Sequence, residues 1–417
     1  MAGVLDVDVL VVGAGPAGSA TAYHLARRGV DVVVCDRASF PREKVCGDGL
    51  TPRGVSALQR MGVDPTEPGF VRIDGLRVRG GGVRLELPWP RVRSQPSFGV
   101  VRTRHDLDHL LVQRAQKAGA RVWEETEAAE PLIGPDGWVG GASLLRGARD
   151  QERTPEQIRA RFVVAADGAA SRFAGRAGVR RDHAAPLGIA ARRYYRTNRY
   201  QDGMFESWLE LRDGDRLLPG YGWVFPVGDG ILNVGAGLLN SYPGFRDITA
   251  RGVFDVFLRQ LPPSWGIDED SAVGPLLSGG LPMAMNRRPL AVPGLLLAGD
   301  AGGMINPFNG EGIAYAIESG ELAAELIHGA LASGRPALAQ LYPEELRRRY
   351  GRYYNAGRIF VRLLGHPWVM QAVTRFGLPR RKLMALLLKG MANLSDGPGG
   401  GAQDRILHAI LRMVPER

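Results

Sequence analysis

Three glycines, Gly13, Gly15 and Gly18, spell Gly-x-Gly-x-x-Gly directly after one apolar run, and Asp36 closes the next. That spacing is chemistry for a dinucleotide. The first glycine makes a tight turn, the second lets a pyrophosphate approach the backbone, and the third packs a helix against a strand. A helix beginning at Pro16 and Ala17 then turns free N–H groups and its positive dipole end toward the phosphates. The acid ending the second strand bonds a ribose hydroxyl, a part that falls to Asp36 with Arg37 beside it. Shortly afterwards comes "PREKVCGDGLTP" (41–52), which places Cys46 between Lys44 and the glycines Gly47 and Gly49. The chain has only two cysteines, so a thiol on backbone free to approach a ligand invites a chemical reading. The bland alternative is a free cysteine acting as a small buried hydrophobe, the reading given to Cys35 in "VDVVVCD".

Later segments choose between a nicotinamide and a flavin. "VVAADGA" puts Asp167 and Gly168 at a strand end, and "LLLAGDAGGMINPFNGEGI" puts Gly299 and Asp300 at another. In the second of these, Pro307, Gly310 and Gly312 lead into a helix starting at Ile313. An aspartate after a strand and glycine suits a ribityl hydroxyl. A helix start beside it suits the N1–C2=O edge of an isoalloxazine, whose negative charge on reduction the dipole stabilises. FAD is the expected cofactor.

These groups need elements to hold them. "VDVLVVGAG", "PAGSATAYHLARRG" and "VDVVVCD" read as strand, helix ending at Gly29, and strand, with apolar runs typical of central parallel strands. Thr51 before Pro52 reads as a helix cap followed by proline at the first position. Residues 104–118 form a further helix, and "RFVVAADGA" (161–169) a further strand. From about 183 to 290 short alternating runs broken by Gly and Pro read as an antiparallel sheet. Buried-strand texture returns at 294–303, a helix follows over 313–330, and from about 340 the pattern is helical, interrupted near Pro367, Pro379 and residues 395–403. The expected fold is α/β (α+β overall). Residues 1–70, 101–182 and 291–335 make a Rossmann-like FAD-binding domain, residues 71–100 and 183–290 an inserted antiparallel substrate domain, and residues 336–417 a C-terminal helical region.

Composition sets outer bounds. With 45% hydrophobic and 23% charged residues the chain is an ordinary globular protein, and two cysteines cannot build a disulfide framework, so a reducing cytoplasm is expected. No window reaches the ~20 apolar residues of a membrane span, and the first apolar run enters glycines as a strand rather than a signal peptide. The net charge of +10 is unevenly placed: residues 340–417 hold 14 Lys or Arg against 5 Asp or Glu. Zinc is not expected. His105-Asp106-x-x-His109 imitates a helical zinc pair, but no third ligand accompanies it. No zinc finger or recognition helix points to nucleic acid.

"FPREKVCGDGLTPRGV", "PGYGWVFPVGDGILNVGAG" and "GDAGGMINPFNGEGI", in this order, resemble the geranylgeranyl reductase family of p-hydroxybenzoate hydroxylase-like flavoproteins. They are most similar to its actinobacterial members that reduce the isoprenoid tail of menaquinone. The resemblance implies further FAD contacts at Arg104 and around Arg42 and Lys44, and no metal. It also implies reduction of isolated carbon–carbon double bonds, by hydride from reduced flavin and a proton from a nearby neutral acid. A thiol of pKa ~8.5, raised further by an apolar site, meets that demand. Cys46 is therefore the expected acid, with Asp48 or a water held by Tyr221 as alternatives. Tyr221 and Trp223, in Tyr-Gly-Trp-x-Phe-Pro, would supply an aromatic wall for an apolar substrate.

One rival is an FAD-dependent aromatic monooxygenase or halogenase on the same scaffold. Such halogenases carry Trp-x-Trp-x-Ile-Pro where this chain has Trp223-Val224-Phe225-Pro226. A flavin-loaded protein without catalysis is the other. No second Gly-x-Gly-x-x-Gly follows a strand, so the electron donor is NAD(P)H bound transiently or a reduced electron-transfer protein. The basic, apolar-striped C-terminal helices lead us to expect peripheral contact with an anionic membrane on its cytoplasmic face.

Overall fold

Val9 to Val12 have no polar side to show, and the strand they form is buried on both faces. The computed structural model describes residues 4–148, 150–197 and 202–415. In it β1 (Leu5–Val12), α1 (Pro16–Ala26) and β2 (Val32–Cys35) form the expected unit. After α2 (Pro52–Arg60) and α3 (Arg104–Lys117), the long strand β3 (Thr154–Ala165) lies beside β1. β1 pairs parallel with β2 on one side and β3 on the other, and Arg121–Trp123 and Leu295–Leu297 extend the sheet in parallel beyond them. A hairpin, Thr126–Ile133 and Val139–Arg146, joins β3 antiparallel. The nucleotide loop therefore leaves the carboxyl end of a central parallel strand, where ligands of such sheets bind.

The second sheet contains β4 (Leu187–Arg196), β5 (Gly220–Gly228), β6 (Ile231–Leu239) and β7 (Ala272–Pro282). Its order is β7-β4-β6-β5, then Met204–Trp208, Gly75–Gly80 and Val83–Pro88. Two features depart from the sequence reading. Met204–Trp208 runs parallel to Gly75–Gly80 within this otherwise antiparallel sheet. The stretch between β6 and β7 folds as a helix, Ala250–Leu258, whose Phe257 packs under β5 where a Cβ on Gly222 would lie 2.4 Å away. Short strands Gly49–Leu50, Val71–Ile73 and Gly99–Val101 form a small sheet of their own.

The helix Ile313–Ser333 returns to the first sheet, and Tyr342–Leu364 is fastened across it by tyrosines. The hydroxyl of Tyr342 donates to the Leu297 carbonyl at 2.9 Å, and that of Tyr354 to the Met304 carbonyl at 2.6 Å. Beyond it, Arg381–Met391 sets Met384 and Leu388 into one apolar cluster with Val78 and Leu87 of the second sheet. The C-terminal helices thus close the far end of that sheet.

Candidate active site

Each glycine of the first loop is required for a different reason. Gly13 has φ +100°, and a Cβ there would lie 2.5 Å from the Ala166 carbonyl oxygen. A Cβ on Gly18 would fall 1.8 Å from the Gly13 oxygen. One on Gly15 would meet only a guanidinium nitrogen of Arg42, at 3.6 Å. Gly15 fronts an open cavity at the N-terminus of α1, whose first turn carries no acid. Free N–H groups, a missing Cβ and a nearby guanidinium suit a pyrophosphate, so these residues fit an FAD. The Asp36 carboxylate accepts the N–H groups of Ala14, at 2.8 Å, and Ala38, at 2.9 Å, which ties the glycine loop to the end of β2.

The cavity, of about 890 Å³, runs from this loop into the second sheet. It is walled by Gly13, Gly15, Pro16, Ala17, Asp36 and Arg37 and by Arg42, Lys44, Asp167 and Gly168. Arg104, Asp300, Pro307, Gly310, Gly312 and Ile313 also line it, as do Cys46 and Gly47, the latter against Trp223 and Phe225. Gly18 and Gly299 are turned away from it. Gly299 (φ +61°) donates its N–H to Ser319 Oγ, and a Cβ there would lie 2.8 Å from that of Ala17, so it seats a strand end against α1. Asp167 spends its carboxylate locally, on the Ser171 hydroxyl at 2.7 Å, and Lys44 reaches Asp300 at 3.3 Å.

The turn Cys46-Gly47-Asp48 is held from across the molecule. Asn233 on β6 donates its amide to the Cys46 carbonyl at 2.9 Å and to the Asp48 carboxylate at 2.7 Å, and its own oxygen accepts the Trp223 indole N–H at 2.9 Å. Asp48, fully buried at φ +63°, also accepts the Tyr194 hydroxyl at 2.6 Å and the Arg104 N–H at 3.1 Å. Burial nevertheless outweighs these bonds and raises the Asp48 carboxyl to about 6. Burial also pushes the Cys46 thiol up; the Arg104 guanidinium opposes that shift and Asp48 adds to it. The glycines of this turn have a packing reason beyond ligand approach. A Cβ on Gly49 would lie 2.7 Å from the Phe205 ring, and one on Gly47 would lie 3.3 Å from Phe225.

Tyr221, Trp223 and Phe225 alternate along β5 on one face, with successive ring centroids 5.8 and 6.4 Å apart. With Phe205, Leu76, Leu87, Met384 and Leu388 they make the far part of the cavity an apolar tunnel. The Tyr221 hydroxyl donates to the Asn309 carbonyl at 3.0 Å, and burial pushes its pKa up to about 12. Its proton is therefore committed, and only its lone pairs remain to hold a water.

Sequence reasoning passed over several residues. Asp108, fully buried, holds Arg104 through two bonds of 2.6 Å and Arg42 through one contact of 3.0 Å. An Arg–Asp pair at i,i+4 in "RHDLDHLL" was its available signal. Glu311 lines the cavity and accepts the Thr51 hydroxyl at 2.9 Å, so that hydroxyl does not cap α2 as expected. Burial raises Glu311 to about 7. Asn233 and Tyr194 gave no local signal. His105 pairs with Asp106 and His109 with Gln113 on α3.

Comparison with known proteins agrees with this geometry. A family model described as an FAD binding domain matches residues 6–191. A menaquinone reductase of Mycobacterium tuberculosis is 36% identical over 391 residues, 93% of this chain and 91% of that one. A digeranylgeranylglycerophospholipid reductase of Thermoplasma volcanium is 30% identical over 350 residues, 83% of this chain and 84% of that one. The crystal structure of a geranylgeranyl bacteriochlorophyll reductase-like protein from Thermoplasma acidophilum superposes with a TM-score of 0.78 at 25% identity, covering 99% of this chain and 100% of that one. Fold and loop define an FAD-dependent oxidoreductase. Within that class, the chain belongs to the geranylgeranyl reductase family.

Proposed function

We propose that the chain saturates isolated carbon–carbon double bonds in the isoprenoid chain of a prenyl lipid, with a menaquinone tail as the first substrate to test. One observation carries the reading: a single cavity is lined by the glycine loop, by Cys46 and by a set of aromatic and aliphatic side chains. The order follows from contacts. Arg42 borders Gly15 and shares Asp108 with Arg104, Arg104 acts on the Cys46 thiol, and the adjacent Gly47 abuts Trp223 and Phe225. The names of the relatives support the substrate class, since a menaquinone reductase and a digeranylgeranylglycerophospholipid reductase are both similar over most of the chain.

Gly15, Asp36, Arg42 and Arg104 would hold FAD, which in its reduced form supplies the hydride for one of the two new C–H bonds. An isolated alkene carries no electron-withdrawing group, so charge at its carbons must be met by a proton as it develops. Cys46 provides that proton: its S–H bond breaks, the other C–H bond forms, and the thiolate regains a proton from water after the product leaves. A raised thiol keeps the proton in place at neutral pH. The Tyr221–Trp223–Phe225 wall excludes water and aligns the chain. An outside donor, NAD(P)H or a reduced electron-transfer protein, recharges the enzyme between turnovers.

The substrate is lipid-soluble, and the outer faces of the C-terminal helices suit its collection from a bilayer. Trp368, Phe376 and Met413 are 67%, 57% and 77% exposed, amid the arginines and lysines that give this region its surplus charge. Neighbouring Leu364, Met370 and Met384 line the tunnel. Among the described residues no helix is long and apolar enough to cross a membrane. Peripheral contact with anionic lipid is the attachment we propose.

The test is anaerobic incubation of the holoenzyme with dithionite and menaquinone, geranylgeranyl diphosphate or an unsaturated archaeal-type phospholipid, read by mass. A gain of two hydrogens per event in the isoprenoid chain is expected, read after the quinone head group, which dithionite itself reduces, has been reoxidised in air. A reduced flavin that leaves every lipid mass unchanged would overturn the reading.

A further inference from the structure

The turn bearing Cys46 follows the nucleotide-binding unit, yet the side chains that fix it come from the second sheet. Asn233 is fully buried and spends both amide contacts on this one turn, binding the Cys46 carbonyl at 2.9 Å and the Asp48 carboxylate at 2.7 Å. Its oxygen is fixed in turn by Trp223, a member of the aromatic wall. The substrate wall and the thiol loop are thereby joined through one amide. Asp48 holds left-handed backbone at φ +63° with no exposure, a conformation open to Asp and here fixed by its partners. Tyr194 and the Arg104 N–H complete that set.

We infer that Asn233 and Asp48 are a positioning pair for Cys46: the Asn233 amide fixes the aim of the thiol through its backbone, and the buried Asp48 carboxylate disfavours a second negative charge on the sulfur, so the proton stays until an alkene is in place. This rests on the reading of Cys46 as proton donor. The charged and titratable groups around the turn are few, and Tyr221 on β5, which faces the thiol, stays a neutral phenol because burial pushes it up to about 12. Arg104, neutralised by Asp108, favours the thiolate, as does the Asp48 N–H. Arg192 lies over the Tyr194 ring at 4.2 Å, with its charge directed to Glu43, 2.7 Å away. Asp48 opposes them from within the turn itself. Two like charges in one buried turn cannot both form cheaply.

The test reads the thiol directly, without turnover. Iodoacetamide labelling of Cys46 in the holoenzyme is followed by mass spectrometry from pH 6 to 10, with Cys35 silent because it is buried and Cys46→Ser giving the background. Asp48→Asn suits the fold, since Asn tolerates left-handed backbone. It should move the labelling curve to lower pH, with labelling several-fold faster at pH 8, and should move the alkaline limb of kcat the same way. Asn233→Ala should lower kcat about tenfold and raise KM less, because the aim of the proton is lost while Trp223 of the wall loses its indole partner. A labelling curve for Asp48→Asn that overlies wild type overturns the proposal, as does full kcat in Asn233→Ala. If Asp48→Asn does not fold, Asp48→Ser supplies the same sign. The wild type alone also decides: a labelling midpoint at or below that of an ordinary cysteine refutes the pair. Shifted curves without reduction of any lipid would uphold the coupling of Asp48 to the thiol and sink the functional reading, and with it the thiol's role as proton donor.

Discussion

Asp108 grips Arg104 with both carboxylate oxygens, 2.6 Å from each, and the oxygen facing the Arg104 terminal nitrogen also receives Arg42 at 3.0 Å. One buried acid therefore sets two cations along the cavity. Replacing it leaves a buried guanidinium uncompensated, which costs about 3–5 kcal/mol. Asp108→Asn should lower the urea midpoint accordingly and purify with less flavin. A midpoint equal to wild type would show that water, not Asp108, compensates the two arginines.

Two glycines of one motif should fail differently. Gly18→Ala puts a methyl 1.8 Å from a backbone oxygen, so α1 must leave the loop, and soluble protein should be lost. Gly15→Ala meets only the tip of Arg42, so the apoprotein should melt within about 2 °C of wild type while FAD binds at least about tenfold more weakly. Flavin absorbance per protein and apoprotein melting separate the two. Equal melting losses in both variants would remove the distinction between a packing glycine and a ligand-facing one.

Much of this architecture was legible because its signals are local. The β1–α1–β2 unit and its glycines announce themselves within forty residues, and the helix over Arg104–Lys117 shows in its own periodicity. What was hidden is long-range. Asn233 and Cys46 are 187 positions apart, and nothing near either names the other. Thr51 reads as a cap, yet a glutamate 260 residues away takes its hydroxyl. The helix Ala250–Leu258 was absorbed into an all-strand reading because Gly and Pro on both sides suggested turns. The glycines around Cys46 were legible as close approach, but that they make room for Phe205 and Phe225 needed the second sheet in place.

Glu311 gives a pH signature. Burial raises its folded-state value to about 7 from an ordinary 4.5, so its contribution to stability is complete below pH 4.5 and fades as pH climbs through 7. Glu311→Gln has no such titration. The urea midpoint of the variant should therefore rise relative to wild type between pH 5 and pH 8. A constant difference would show that Glu311 is hydrated and titrates normally.

Cys46→Ser tests the acid itself. A serine hydroxyl keeps the size of the side chain but is a far weaker acid at neutral pH, so proton transfer should suffer by about 100-fold or more in kcat. The cofactor contacts are untouched, so the variant should purify yellow and be bleached by dithionite like wild type. Undiminished gain of two hydrogens would move the proton source elsewhere, with Asp48, raised to about 6, the remaining acid of the turn.

A tunnel lined by Leu364, Met370 and Met384 is built from helices whose outer faces leave Leu363, Trp368 and Phe376 bare. Clustered bare side chains of this size mark an interaction surface, and on the reading proposed above the surrounding positive charge matches an anionic lipid surface. The holoenzyme should co-sediment with vesicles containing phosphatidylglycerol, weakly with phosphatidylcholine alone, and less as salt rises. Leu363→Ser, Trp368→Ser and Phe376→Ser combined should reduce binding about tenfold or more, since each loses apolar area worth a kcal/mol or so. Detergent-dispersed substrate bypasses the bilayer, so the triple variant should keep its kcat there while losing turnover on vesicle-borne lipid. Equal loss in both assays would mean that these side chains hold the tunnel together rather than meet a membrane.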